Sequence, residues 1–206
     1  TIIRQDDFID SVADALQFIS YYHPVDFVKA VHEAYLREQN PAARDAMAQI
    51  LINSRMCAQG HRPICQDTGI VTVFLKIGMK VQWDATLSVS DMVNEGVRRA
   101  YTNPDNVLRA SILEDPAGAR RNTRDNTPAV IHMEVVPGDT VDVRVAAKGG
   151  GSENKSKLVM LNPSDSIVDW VVKTIPTMGA GWGPPGRLGS GIGGAAEKGA
   201  VLAKEA

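Results

Sequence analysis

At 206 residues, with 44% hydrophobic and 22% charged content, the chain has the make-up of an ordinary globular protein able to bury a sizeable core. Its net charge of −2 gives no electrostatic reason to expect nucleic acid or an anionic membrane as a partner. No apolar run approaches the roughly 20 residues of a membrane span, and two cysteines are too few for a disulfide scaffold, so a reducing, cytoplasmic setting is expected.

Thr1 to Asp7 hold no basic segment followed by an apolar core, so no secretory signal is expected. Asp6 or Asp7 can cap a helix running to about Tyr22, with Phe8, Val12, Ala15, Leu16 and Ile19 at helical spacing. Pro24 suits the first turn of a second helix carrying Phe27, Val31 and Tyr35. Pro41 opens a third, with Ala43, Met47, Ile50, Leu51 and Ser54 along it, ending near Gly60. Ile70 to Ile77 is rich in β-branched residues and reads as a strand. Ser90 or Asp91 can cap a helix through about Tyr101. Thr102 to Thr127 is long, polar and without period, which points to a functional or a disordered segment.

Ala129 to Val136 and Thr140 to Ala147 read as two strands, and Pro137-Gly138-Asp139 between them is a hairpin signal. Leu158 to Leu161 is a candidate third strand, Asp165 to Thr174 a short helix, Gly179 to Gly194 a glycine-proline loop and Ala195 to Ala206 a final helix. The fold class is therefore α/β: N-terminal helices followed by a mixed, largely antiparallel sheet with interspersed helices. The chain stops in or just after a helix, so a larger parent protein is expected.

The chemistry concentrates in Ile64-Cys65-Gln66-Asp67-Thr68-Gly69. A thiol, an amide, a carboxylate and a hydroxyl stand together at a helix-to-strand junction, where a turn can aim them into one cavity. Two glycine-rich stretches, Lys148 to Ser156 and Met178 to Gly194, are the other unusual features. Gly189-Ser190-Gly191-Ile192-Gly193-Gly194 fits GxGxxG, but a dinucleotide fold needs a following strand and an acidic residue about 20 positions on, and too little chain remains. GGGSENKS at Gly149 to Ser156 has Asn154 where a P-loop needs glycine. Both nucleotide readings are rejected. Consecutive glycines still let backbone N–H groups approach an anion, with Lys148, Lys155 and Lys157 adding positive charge. Arg109 can grip a carboxylate with two parallel bonds. Together these suggest a small anionic substrate; taken one at a time, each feature also fits plain turns and solvated lysines.

Five motifs in order carry a resemblance: Cys65-Gln66-Asp67-Thr68-Gly69, Asn126-Thr127-Pro128-Ala129, Lys148-Gly149-Gly150-Gly151-Ser152-Glu153-Asn154-Lys155, Gly181-Trp182-Gly183-Pro184-Pro185-Gly186 and Gly191-Ile192-Gly193-Gly194. Over essentially the whole chain it resembles the N-terminal part of the class I, iron–sulfur fumarate hydratases, with L-tartrate dehydratase as the close relative. The resemblance implies that residues 1–206 form a single N-terminal, cluster-side domain of a hydro-lyase, acting with a C-terminal domain or β subunit. It implies reversible hydration of fumarate to L-malate, a step of the tricarboxylic acid cycle, at a [4Fe–4S] cluster whose open iron acts as a Lewis acid. It also implies a dicarboxylate substrate, a cytoplasmic setting and a homodimer.

Carried over by position, Cys65 matches a cluster ligand, and Gln66 and Asp67 line the substrate site, Asp67 in a proton-handling role. Arg109 matches the family's carboxylate-binding arginine, the Gly149-Gly150-Gly151 segment lies beside the substrate, and Lys155 is a further suggestion. Cys57 has no counterpart and reads as structural. His23, His32, His61 and His132 fall in no catalytic pattern, and His132 reads as packed within a strand. Gly183 departs from the family, which has its second ligand cysteine there in a Cys-Pro-Pro-Gly context, and Ser190 replaces an apolar residue. The family's third cysteine lies beyond residue 206. This chain by itself is expected to hold no intact cluster. L-tartrate dehydration and a cluster-less assembly or binding domain are the alternative functions.

Overall fold

The computed structural model describes residues 1–179, 181 and 186–206. The expectation placed on Gly183 lies outside the described residues. The chain divides into two compact units, Thr1–Gly149 and Gly150–Ala206.

The first unit opens with a short strand β1 (Ile2–Arg4) and helix α1 (Gln5–Tyr21). Asp6 and Asp7 stand in the first turn of α1, where carboxylates favour the positive end of the helix dipole. They do not cap it: the cap position is Arg4, whose guanidinium holds Asp7 at 2.7 Å. Helix α2 (Val25–Arg37) follows Pro24, and α3 (Pro41–Gly60) follows Asn40, whose side chain accepts from the Ala42 and Ala43 N–H groups. The predicted helices are thus present in order, and α3 ends at His61 in the left-handed conformation.

Strand β2 (Ile70–Gly78) leads to β3 (Gln82–Asp84), which pairs in parallel with β1. Helix α4 (Val89–Tyr101) is capped by Ser88, whose hydroxyl accepts the Asp91 N–H, rather than by Ser90 or Asp91 itself. The stretch expected to be functional or disordered is ordered. It contains a two-strand ribbon, β4 (Leu113–Glu114) with β5 (Arg121–Asn122), and otherwise hydrogen-bonds through side chains to backbone, as in Asn122 Nδ2 to the Ala110 carbonyl.

Strands β6 (Val130–Val136) and β7 (Val141–Lys148) close the unit. They do not form the predicted hairpin. The sheet order is β6-β2-β7, with β2 parallel to β6 and antiparallel to β7. Two features explain the insertion of β2. Val71, Thr72, Val73, Phe74 and Leu75 are all buried, so both faces of β2 are covered, which suits a central strand. The Pro137-Gly138-Asp139 connection then passes over the end of β2 at Gly78, where the Gly78 and Lys80 N–H groups donate to the Thr140 and Gly138 carbonyls, both at 2.9 Å. A Cβ at Gly78 would lie 2.7 Å from Gly138, so this crossing requires glycine.

One face of β2 (Val71, Val73, Leu75) packs against α1 (Phe8, Ile9, Val12, Leu16) and α4 (Met92, Val93, Val97, Tyr101) to make the core. Gly96 brings the two helices together: a Cβ there would sit 2.8 Å from the Ile9 carbonyl oxygen. This packing fixes the ends of β2 and α4, from which the candidate site is built.

The second unit holds a single helical turn α5 (Gly150–Glu153), helix α6 (Ile167–Thr174) capped by Ser166, a 3-10 turn (Ile175–Met178) and helix α7 (Ala196–Glu205). Leu158 to Leu161 is irregular rather than a strand: Leu158 and Met160 are exposed and no described strand pairs with them. Lys204 of α7 pairs with Glu153 of α5. The late glycines have a packing role, since a Cβ at Gly191 would overlap the Gly199 carbonyl of α7.

Candidate active site

The Cys65-Gln66-Asp67-Thr68-Gly69 segment leaves the irregular link after α3 and enters β2. Cys65 and Gln66 are exposed, Asp67 and Thr68 half-buried and Gly69 buried. The Cys65 thiol lies 3.1 Å from the Gln66 side-chain oxygen. Asp67 Oδ1 accepts the Gly69 N–H at 3.2 Å, closing a tight local turn that holds the carboxylate. Gly69 has φ +86°, and a Cβ there would also lie 2.7 Å from the Ala147 carbonyl carbon, so conformation and space both demand glycine.

The antiparallel register sets Ile70 opposite Lys148. The start of β2 therefore meets the end of β7, and Gly149 comes under the Asp67 carboxylate. A Cβ at Gly149 would stand 2.8 Å from Asp67 Oδ2. Sequence reasoning placed Gln66, Asp67 and Gly149 in one site, and the fold brings Asp67 and Gly149 together. Gly150 and Gly151 open the second unit in the turn α5, where a Cβ at Gly151 would lie 2.5 Å from the Gly181 carbonyl oxygen. The glycine run is thus partly helical rather than an extended loop. Lys155 is half-buried within that unit, its Cε 3.4 Å from where a Gly181 Cβ would be.

Arg109 is exposed and lies beside the same loop: the Thr68 hydroxyl donates to its backbone carbonyl at 2.6 Å. The two segments share one buried bracket. Asn126, fully buried, donates from Nδ2 to the Gly69 carbonyl at 3.0 Å and accepts the Ser111 N–H on Oδ1 at 2.8 Å. The Tyr101 hydroxyl, at the end of α4, donates to the Thr68 carbonyl at 2.7 Å. Burial, followed by the nearby Asp67 charge, pushes the Tyr101 hydroxyl up to about 12 even though the bond to Thr68 opposes this. The phenol is therefore a fixed donor, not an acid-base group near neutral pH.

Asn126 is held in turn. It adopts φ +61°, a conformation asparagine tolerates better than most residues, as the middle residue of Asp125-Asn126-Thr127. Asp125 accepts the Thr127 N–H and hydroxyl through Oδ1 and Arg98 Nε through Oδ2. Burial alone would raise the Asp125 carboxyl; the Thr127 bonds and the Arg98 guanidinium outweigh it and hold the group below the usual range. No individual role for Asn126 or Tyr101 is expected from the sequence, and Thr68 is expected only as one of the four polar groups of its segment. Asn126 opens one of the five motifs that carry the resemblance, but nothing in the motif itself gives its role, whereas Tyr101 reads simply as core.

The remaining candidates separate cleanly. Cys57 is buried on α3, its thiol facing the Asn53 side chain and the Pro63 carbonyl, and burial raises it, as suits a structural residue. His61 stacks on Tyr21, His32 on Tyr35 and His132 on Phe74, and His23 contacts Ser54 Oγ at 3.0 Å. No histidine joins the candidate site. Among the described residues no group of three or more His, Cys, Asp or Glu side chains could hold a metal ion. The chain offers one accessible thiol, Cys65, and Gly183 has no side chain to ligate iron, so its donor set does not fit a complete [4Fe–4S] cluster.

The Asp67 turn, the Gly149 close approach and the Arg109 backbone thus lie together where β2 begins, on an α/β framework. Residues 9–206 match the family model described as "Fumarate hydratase (Fumerase)", and the chain belongs to that family. It is similar, at 32% identity over 96% of its length and 70% of the relative's, to the "Putative L(+)-tartrate dehydratase subunit alpha" of Methanocaldococcus jannaschii. It is 26% identical to an Escherichia coli "L(+)-tartrate dehydratase subunit alpha", over 95% of this chain and 65% of that protein. Against the "Fumarate hydratase class I, anaerobic" of Escherichia coli it is 32% identical over 71% of its own length and 27% of the relative's.

Proposed function

We propose that this chain is the N-terminal, substrate-gripping portion of a hydro-lyase that reversibly hydrates fumarate to L-malate. Its partner is a C-terminal domain or β subunit, and the whole is a cytoplasmic homodimer. The observation that supports this reading is the bond from the Thr68 hydroxyl to the Arg109 backbone carbonyl, which ties the Arg109 segment to the Asp67 turn. Arg109 binds one substrate carboxylate through its planar fork and stabilises charge that builds next to that carboxylate in the transition state. Asp67 handles the proton lost or gained at the neighbouring carbon, and Gln66 orients the substrate by hydrogen bonding. The Gly149 backbone can approach a ligand closely because no side chain intervenes; Gly150 and Gly151 extend that backbone.

An iron–sulfur cluster of the family's kind, completed by ligands from outside this chain, would supply Lewis-acid activation of the departing hydroxyl. Cys65 is the one accessible thiolate this chain would give it. L-tartrate is the second substrate reading, favoured by relatives of that name that match 95–96% of this chain.

The test is to co-produce the chain with its C-terminal portion, with and without Gly183→Cys, and to follow fumarate and L-tartrate by absorbance. Fumarate hydration supports the reading. Turnover of L-tartrate alone replaces the substrate. Inactivity despite a full complement of iron favours a non-catalytic binding domain.

A further inference from the structure

We propose that Asn126 is the positioning residue of this site: its buried carboxamide fixes the spacing between the Asp67 turn and Arg109, and so sets affinity for the substrate carboxylate. This rests on the reading of Asp67 and Arg109 as substrate-handling groups. The hydrogen bonds form a closed circuit. Asp67 holds the Gly69 N–H, Asn126 holds the Gly69 carbonyl and the Ser111 N–H, and the Thr68 hydroxyl holds the Arg109 carbonyl two residues before Ser111. Both ends of the Asn126 amide face groups of opposite kind, a carbonyl and an N–H, so the amide orientation is dictated by its partners. The carboxamide carries a donor and an acceptor on one planar group and so bridges the Gly69 carbonyl and the Ser111 N–H at once.

The alternative is that Asn126 is a satisfied core amide with no bearing on the substrate. Its surroundings argue against that. It bonds none of the apolar core elements, only the two segments that carry Asp67 and Arg109. Its backbone is held in the left-handed region by the Asp125 clamp, tied through Arg98 to α4. The rigid helix is thereby connected to the spacing of the two substrate-handling segments.

The test uses two arms. In this chain, amide hydrogen exchange of Asn126→Gly, which keeps the backbone conformation available, should show lost protection at residues 65–69 and 109–111 with α1, α4 and β2 unchanged. Unchanged exchange, or loss spread through the core, overturns the proposal. In the active assembly, the same variant should raise KM for the dicarboxylate about tenfold with kcat held within about twofold. An unaltered KM with an intact fold overturns it. If Asn126→Gly does not fold, Thr68→Val removes the outer bridge and carries both arms. The exchange arm is independent of turnover, so a wild-type assembly that converts neither substrate refutes the functional reading while the bracket is judged separately.

Discussion

The two units of this chain are stabilised in different ways. In Thr1–Gly149, alternate residues of a central strand meet two amphipathic helices, and Ile9, Val12, Leu16, Val71, Val73, Leu75, Met92, Val93 and Val97 are all at most 1% exposed. In Gly150–Ala206, Met178 is the one buried hydrophobic among the described residues, while Leu158, Met160, Val168, Val172 and Ile192 are each more than 60% exposed. A segment that buries so little apolar surface gains little against the entropy of ordering it. The candidate residues of greatest geometric definition, Asp67, Asn126 and Gly149, belong to the unit with the core. A substrate site that must hold its groups to within a fraction of an ångström is best built on such a framework.

The same substitution in each unit sharpens the contrast most. Leu75→Ala should destabilise by about 2–5 kcal/mol in urea unfolding, because it opens a cavity in a closed core. Leu158→Ala should change stability by no more than about 0.5 kcal/mol. Equal costs would mean that the second unit has a core of its own.

Next in size is Tyr101→Phe, which leaves the Thr68 carbonyl without its buried donor and should cost about 1–3 kcal/mol. It also has a pH signature. Below about pH 10 folded and unfolded chains both keep the phenol proton; between about 10 and 12 the unfolded chain releases it and the folded chain does not. Stability should therefore fall by about 2–3 kcal/mol as pH rises through that window, and Tyr101→Phe should remove this component.

Asp125 acts in the opposite direction and more weakly. Its folded carboxyl lies below the usual range, so its contribution is present above the unfolded pKa and is lost as pH falls through the folded value. Asp125→Asn should flatten that acid limb in a pH series of thermal melts.

The smallest effect energetically separates the two thiols. With a thiol-reactive chromophore, exposed Cys65 should react quickly and buried Cys57 only on unfolding. Two equally fast thiols would contradict the helix packing around Cys57.

The helices were legible because proline and period act locally: Pro41 and the apolar stripe of α1 read directly from the chain, whereas the caps of α1 and α4 fell at Arg4 and Ser88 instead of the residues expected. The Cys65–Gly69 segment stood out because its reactive side chains are consecutive. Strand order was not legible. Pro137-Gly138-Asp139 carries an ordinary hairpin signal, and only the two-sided burial of β2, a tertiary fact, puts another strand between β6 and β7. The roles of Asn126 and Tyr101 were not legible for a related reason. Each acts on a carbonyl far away in sequence, 57 residues for Asn126 and 33 for Tyr101, and no spacing rule reaches that distance.

The most direct measurement is steady-state turnover of fumarate by the chain assembled with its C-terminal portion, wild type against Arg109→Leu. The account predicts fumarate hydration that Arg109→Leu reduces at least about a hundredfold in kcat/KM, with exchange protection of the core unchanged. Turnover indifferent to Arg109, or an iron-replete assembly that hydrates nothing, would contradict it.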